Sequence, residues 1–215
     1  MITVIGNLKG GTGKSTVAFN LAVWLATNGR DVSLFDLDPQ ATLSDVAQIR
    51  EEEEYLPAIK VTNDITKLKA RKNKEILVDV GTADFESMKL ALSLADRVVV
   101  PVPPSQADIW STQRFMKIID EVNEGGKKPE ILGFINRADT HIHVRETGEA
   151  EEALLHLPGI KLIDVRLYQR TAYRRSFSEG LGVFELEPKS KAAGELNKLA
   201  SILFSSLFII DGNND

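Results

Sequence analysis

Seven consecutive residues near the start of the chain, Gly10, Gly11, Thr12, Gly13, Lys14, Ser15 and Thr16, follow closely on a short apolar, β-branched run, Ile2 to Ile5. Three glycines, a lysine and a serine at these offsets suit an anion. Without a Cβ the backbone can fold around phosphate and aim successive N–H groups at it, and the N-terminus of a following helix adds its positive end. Lys14 then reaches β- and γ-phosphate oxygens, and the Ser15 hydroxyl is placed to ligate Mg²⁺. The chemistry implied is the binding of a nucleotide's phosphates with Mg²⁺, with Thr12 and Thr16 in the same cradle. A glycine-rich turn that only joined a strand to a helix would have no use for the lysine and serine.

The elements around this loop must hold it. Ile2 to Ile5 has the length and branching of a buried strand, and the apolar stripe Val17, Leu21, Trp24 and Leu25 predicts a helix over 15–28, stopped at Asn28-Gly29. A second buried strand from Asp31 runs into Asp36-Leu-Asp38-Pro-Gln40, and a third, from Glu75, ends in Asp79 before Gly81. Helices are predicted over 42–49, 85–95, 109–122, 144–155 and 189–207, with strands over 131–137 and 160–165. A strand from Asp96 is read as closed by prolines that cannot continue a central ladder. The segment Arg50 to Glu54 reads as a solvated acidic face, and 60–74 as a short strand, a helix and a loop. Strands alternating with helices specify an α/β fold, a mostly parallel sheet with helices on both faces and ligand at the carboxyl ends of the strands. One domain is expected over 1–208, with a disordered tail at 209–215.

Charge restricts the partners. At net −5, any contact with nucleic acid must come from a local basic patch. Such a patch exists in Arg166, Arg170, Arg174 and Arg175, with no acid among them. They can contact DNA phosphates, or they can be a solvated surface paired to acidic segments elsewhere; the residues leave both open. His141 and His143 lack further ligands and read as surface residues. Cysteine is absent, so there are no disulfides. No window approaches the roughly 18 apolar residues of a membrane span, and no leader precedes the first strand, so a cytoplasmic protein is expected. The apolar stretch Ser201 to Ile210 lacks the basic residues that anionic lipid requires and reads as a packed helix.

The general phosphate-loop pattern asks for glycine where this chain has Leu8; what stands here is Lys9-Gly-Gly-Thr-Gly-Lys-Ser15. This deviant form, with Asp36-Leu-Asp-Pro-Gln40 and Asp79, resembles the ParA/MinD superfamily of P-loop NTPases, and most of all the small ParF-like partition ATPases. Looser similarity at 98–108 and 167–185 extends the resemblance over essentially the whole chain. It implies a weak ATPase in which Lys9, Lys14 and Asp38 are catalytic. Lys9 would reach across an ATP-sandwich homodimer to the partner's nucleotide, and Asp38 would activate the attacking water. Asp36 and Asp79 would join Ser15 around Mg²⁺, and Arg137 and Gln169 would lie beside the base. The ATP-bound dimer would bind nonspecific DNA through the arginines, associate with the nucleoid and be released by a ParB- or ParG-like adaptor. With the loop starting at residue 9 there is no room for the N-terminal DNA-reading domain of larger relatives. Val80-Gly81-Thr82 departs from the relatives' usual switch sequence, and the lack of cysteine excludes the iron–sulfur branches. The alternatives are a MinD-like membrane-cycling ATPase, which the acidic tail opposes, and a ligase or carboxylase, for which no second functional cluster is visible.

Overall fold

The computed structural model describes residues 1–69, 75–141 and 145–209. Its strands are β1 (Ile2–Ile5), β2 (Val32–Asp36), β3 (Val61–Thr62), β4 (Glu75–Asp79), β5 (Arg97–Val102), β6 (Glu130–Ala138) and β7 (Lys161–Tyr168). They form one sheet in the order β3-β2-β4-β1-β5-β6-β7, every pair parallel. The helices are α1 (Lys14–Thr27), α2 (Thr42–Glu52), α3 (Phe85–Leu94), α4 (Gln106–Val122), α5 (Glu146–Leu155), α6 (Thr171–Ser178), α7 (Val183–Leu186) and α8 (Lys191–Ile209).

Both faces of the sheet are covered, which is why the central strands are apolar throughout. Ile5, Leu34, Leu77, Val99 and Phe134 turn to one core with α1, α2, α6 and α8. Val4, Phe35, Val78, Val100 and Ile135 turn to the other with α3, α4 and α5. From β1 the chain crosses to β2 on one side and later passes to β5 on the other, so the strand order reverses beside β1. The glycine loop leaves β1 at that switch point, where parallel sheets open a crevice.

Four expectations need correction. Arg50 does not belong to a solvated face: α2 runs on to Glu52 and buries Arg50, while Glu51 to Glu54 remain exposed. Pro101 lies inside β5, opposite Phe134. It is tolerated because its ring nitrogen faces the β1 side, where the ladder has ended at Val99, and its carbonyl accepts from Asn7 Nδ2 at 3.1 Å. The last strand does not stop at 165, since β7 continues to Tyr168, and α6 begins soon after at Thr171. Helix α4 starts at Gln106, before the predicted Ile109, because the Ser105 side chain caps it by accepting from the Asp108 N–H. Part of the segment 60–74, His143 and nearly all of the predicted tail lie outside the described residues, and Ile209 is the last residue of α8.

Candidate functional site

The loop between β1 and α1 takes its shape from glycines and from β6. Gly11 and Gly13 have φ of 73° and 91°, left-handed values that glycine adopts without strain. Gly13 also meets Asn136 so closely that a Cβ would lie 2.4 Å from Asn136 Nδ2. That amide donates to the Thr12 carbonyl at 2.6 Å, and the Arg137 guanidinium donates to the carbonyl of Gly11. Lys14 is buried, and its Nζ donates to the carbonyl of Lys9 at 3.3 Å. Among the described residues its one hydrogen bond is to a carbonyl, and phosphate oxygens would give this buried ammonium further partners.

Two carboxylates sit side by side at the carboxyl ends of β2 and β4, where Asp36 is in register with Asp79. Ser15 Oγ donates to Asp79 Oδ2 at 2.6 Å, while Asp79 Oδ1 is buried with no hydrogen-bond partner among the described residues. Burial pushes the Asp79 carboxyl up to about 7; Ser15 and Lys14 pull it down, and Asp36 and Asp38 add to the rise. A carboxylate with one orphaned oxygen beside a serine hydroxyl fits a divalent cation. Among the described residues no group of three or more His, Cys, Asp or Glu could hold a metal unaided. Mg²⁺ bound by Ser15 and Asp79 would therefore need phosphate oxygens to complete its shell.

Asp36 is occupied otherwise. Its Oδ2 accepts from the N–H and hydroxyl of Ser44 at 3.0 and 3.1 Å, and its Oδ1 accepts from the Asp38 N–H, so it braces the turn into α2. Asp38 stands free of such bracing except for the Gln40 N–H, which donates to its Oδ1 at 3.0 Å, and it lies against Gly81.

These groups edge a cleft of about 430 Å³. Its lining includes Gly10, Gly11, Gly13, Lys14, Ser15, Thr16 and Asp38 together with Tyr173, Phe177 and Leu196, and Arg137, Gln169, Arg170 and Arg174. A lining that combines a glycine-rich polar loop with two aromatic side chains suits a triphosphate and a base. Thr12 lies buried behind the loop.

Lys9 faces elsewhere, its Nζ 2.8 Å from Asp108 Oδ2. Of the four arginines, Arg166 pairs with Glu151 and Arg175 with Glu187. Arg170 pairs with Glu195 at 2.6 Å and lies over Tyr168. Arg174 is exposed beside the cleft.

Residues 3–183 match the family model described as the CobQ/CobB/MinD/ParA nucleotide-binding domain. The chain belongs to this family. It is thus a ParA/MinD-family nucleotide-binding ATPase of the positioning or partition kind. It is 25% identical over 210 residues to maintenance of carboxysome distribution protein A of Halothiobacillus neapolitanus, covering 94% of this chain and 95% of that one. It is 26% identical over 194 residues to protein ParA of Rhizobium radiobacter, covering 87% of each. The structure of the septum site-determining protein MinD of Pyrococcus horikoshii, complexed with Mg-ADP, superposes with a TM-score of 0.75 at 21% identity, over 97% of both chains.

Several residues that build this ParA/MinD site carry no motif signal. Asn7 is fully buried, accepts from Ser111 Oγ and donates to Thr112 Oγ1, tying the loop's entry to α4. Asn136 and Asp108 likewise act through partners distant in sequence, and Ser44 through Asp36 eight positions before it; only their position near a strand end or at a helix start hints at them.

Proposed function

We propose that this chain is a positioning ATPase whose ATP-bound form dimerises, binds nonspecific DNA and is released when a partner protein stimulates hydrolysis. The observation that carries the reading is the Ser15–Asp79 pair with its orphaned oxygen, Ser15 lining one cleft with Lys14 and Asp38. Lys14 and the loop amides hold the phosphates. Ser15 and Asp79 hold Mg²⁺, which supplies charge neutralisation for the transferred phosphoryl group. Asp38 accepts a proton from the attacking water, and its approach to Gly81 ties that carboxylate to the loop after β4.

Lys9 is the proposed trans-acting residue: in a sandwich dimer it exchanges Asp108 for the partner's phosphates. ATP contacts available only to the dimer make association depend on the γ-phosphate, so hydrolysis dissolves it. Arg166, Arg174 and Arg175 form the proposed DNA surface. Exposed ion pairs are worth about 0–1 kcal/mol, so exchanging Glu151 or Glu187 for a DNA phosphate costs little. Arg170 contributes less, because its pair with Glu195 is more enclosed and joins β7 to α8. No helix among the described residues is long and apolar enough to cross a membrane.

The test is binding to a nonspecific DNA duplex with ATP, with ADP and without nucleotide, over a salt series, for the wild type, Lys9→Ala and Arg174→Ala. Binding that needs ATP, falls steeply with salt and is lost in Lys9→Ala supports the reading. Turnover of ATP with no DNA binding in any state leaves the ATPase and removes the DNA partner.

A further inference from the structure

Arg50 ties α2 to α7 and to the turn between α6 and α7. It is 1% exposed, and its guanidinium grips Glu185 with two bonds of 2.9 Å. Its Nη1 also donates to the carbonyl of Gly180 and its Nε to that of Pro57, each at 2.9 Å. Glu185 Oε2 in turn accepts from the Gly182 N–H at 2.7 Å. The turn between α6 and α7 lies flat on α2: at Gly180, with φ of 70°, a Cβ would meet Arg50 N at 2.8 Å. The same turn is fastened to α1, where Asn20 Oδ1 accepts from the buried Val183 N–H at 2.8 Å and Asn20 Nδ2 donates to the Thr16 carbonyl.

Each helix held this way presents a different part of the cleft. Helix α1 begins with Lys14 and Ser15, α6 carries Tyr173 and Phe177, and α2 starts in the turn that bears Asp38. Ser44, which braces Asp36 beside Asp38, is six residues from Arg50, about 9 Å along the helix. Stability alone does not favour such a pair. Two apolar residues of similar volume serve a core as well or better than a buried ion pair, whereas a bidentate guanidinium–carboxylate fixes separation and orientation together.

We propose that Arg50 and Glu185 are positioning residues that couple the base wall on α6 to the water-orienting carboxylate on the turn before α2. A base seated against Tyr173 and Phe177 presses on α6, and the pair carries that constraint to α2, so that the seat Asp38 takes against Gly81 is held more rigidly when the base is bound. Binding energy from a part of the substrate remote from the reacting bond is thereby used in turnover, not only in affinity. This inference rests on the ATPase reading above.

The experiment compares Mg-ATP with the Mg complex of ribose 5-triphosphate, which has the same phosphates and no base. It uses the wild type, Glu185→Gln and the double variant Arg50→Met/Glu185→Leu, whose apolar pair preserves folding if Glu185→Gln does not. In the wild type kcat is higher with ATP than with ribose triphosphate. In the variants kcat with ATP falls about tenfold while that with ribose triphosphate stays unchanged, abolishing the base's advantage. Equal loss with both substrates, or no loss, overturns the coupling and leaves the pair merely structural. If the wild type turns over neither substrate, the ATPase reading fails, and hydrogen exchange decides the coupling by itself. Mg-ADP then slows exchange of amides 45–52 in the wild type and not in the double variant; equal slowing in both overturns it.

Discussion

The carboxylate of Asp38 rests on the α-carbon of Gly81: a Cβ built there would lie 2.5 Å from Asp38 Cγ and 2.6 and 2.9 Å from its two oxygens. The loop after β4 thus forms the seat of the proposed water-orienting group, and only a residue without a side chain can form it. Gly81→Ala is expected to displace Asp38 and lower kcat about 100-fold, the lower range of a lost general base. Nucleotide affinity should change less than about threefold, since Lys14 and the glycine loop are untouched. Steady-state turnover with equilibrium titration of a fluorescent ADP separates the two. Wild-type turnover in Gly81→Ala would show that Asp38 does not act from this seat.

Asp79 makes the nucleotide-free protein sensitive to pH. Burial raises its carboxyl from 3.8 to about 7 in the fold, so between those values the folded state holds a proton that the unfolded chain has lost. Stability from this group is therefore complete below about pH 4, declines as pH rises and levels off above about pH 7, with an upper limit of about 4 kcal/mol. Asp79→Asn removes the cost. The nucleotide-free variant should melt about 5–10 °C above the wild type at pH 8, and level with it near pH 4. It should also lose the stabilisation that Mg²⁺ and nucleotide give the wild type. Calorimetry across pH, with and without Mg-ADP, checks both.

Short-range chemistry was legible in the sequence and long-range partnership was not. The loop from Gly10 to Thr16 could be read because its function depends on residue types at fixed offsets, and the parallel sheet because its strands are apolar on both faces. Arg50 was misread because it stands next to a run of glutamates, whereas its partner, Glu185, is 135 positions away. Pro101 was misread for a related reason: it fits inside a central strand only because β1 stops short beside it, a matter of pairing register, whereas Pro103 and Pro104 do follow the last residue of β5. Arg166, Arg170 and Arg175 formed an acid-free cluster in sequence, yet Glu151, Glu195 and Glu187 come from other elements to meet them.

Asn136 sets the phosphate loop from outside the loop's own sequence. Asn136→Ala deletes the 2.6 Å bond to the Thr12 carbonyl and leaves that carbonyl unpaired, a loss of about 1–3 kcal/mol. Mg-ATP affinity should fall about tenfold as the loop loosens. Gly13→Ala should abolish binding, since φ of 91° strains any residue with a Cβ and the new methyl would strike Asn136 Nδ2. Combining the two substitutions removes the collision but not the strain, so only part of the affinity should return. Full recovery would mean that the collision alone matters at Gly13.

In the proposed sandwich dimer, Lys9 and Asp108 would together set the threshold for association. Asp108 is buried, its Oδ2 accepts from both Lys9 and the Ser105 hydroxyl, and its Oδ1 has no hydrogen-bond partner among the described residues. When Lys9 leaves to reach a partner's nucleotide, Asp108 remains as a buried carboxylate supported by one hydroxyl, and that penalty opposes the dimer. Asp108→Asn removes most of the penalty while keeping the side chain's shape, so the ATP concentration giving half-maximal dimer should fall about tenfold. Lys9→Ala should destabilise the monomer by about 1–3 kcal/mol, by stranding Asp108, and should yield no dimer at any ATP concentration. Sedimentation velocity with Mg-ATP reads the dimer, and urea unfolding without nucleotide reads the stability. A requirement for more ATP in Asp108→Asn would instead assign Asp108 to the dimer's own contacts, with the ion pair a way of presenting Lys9 to the partner.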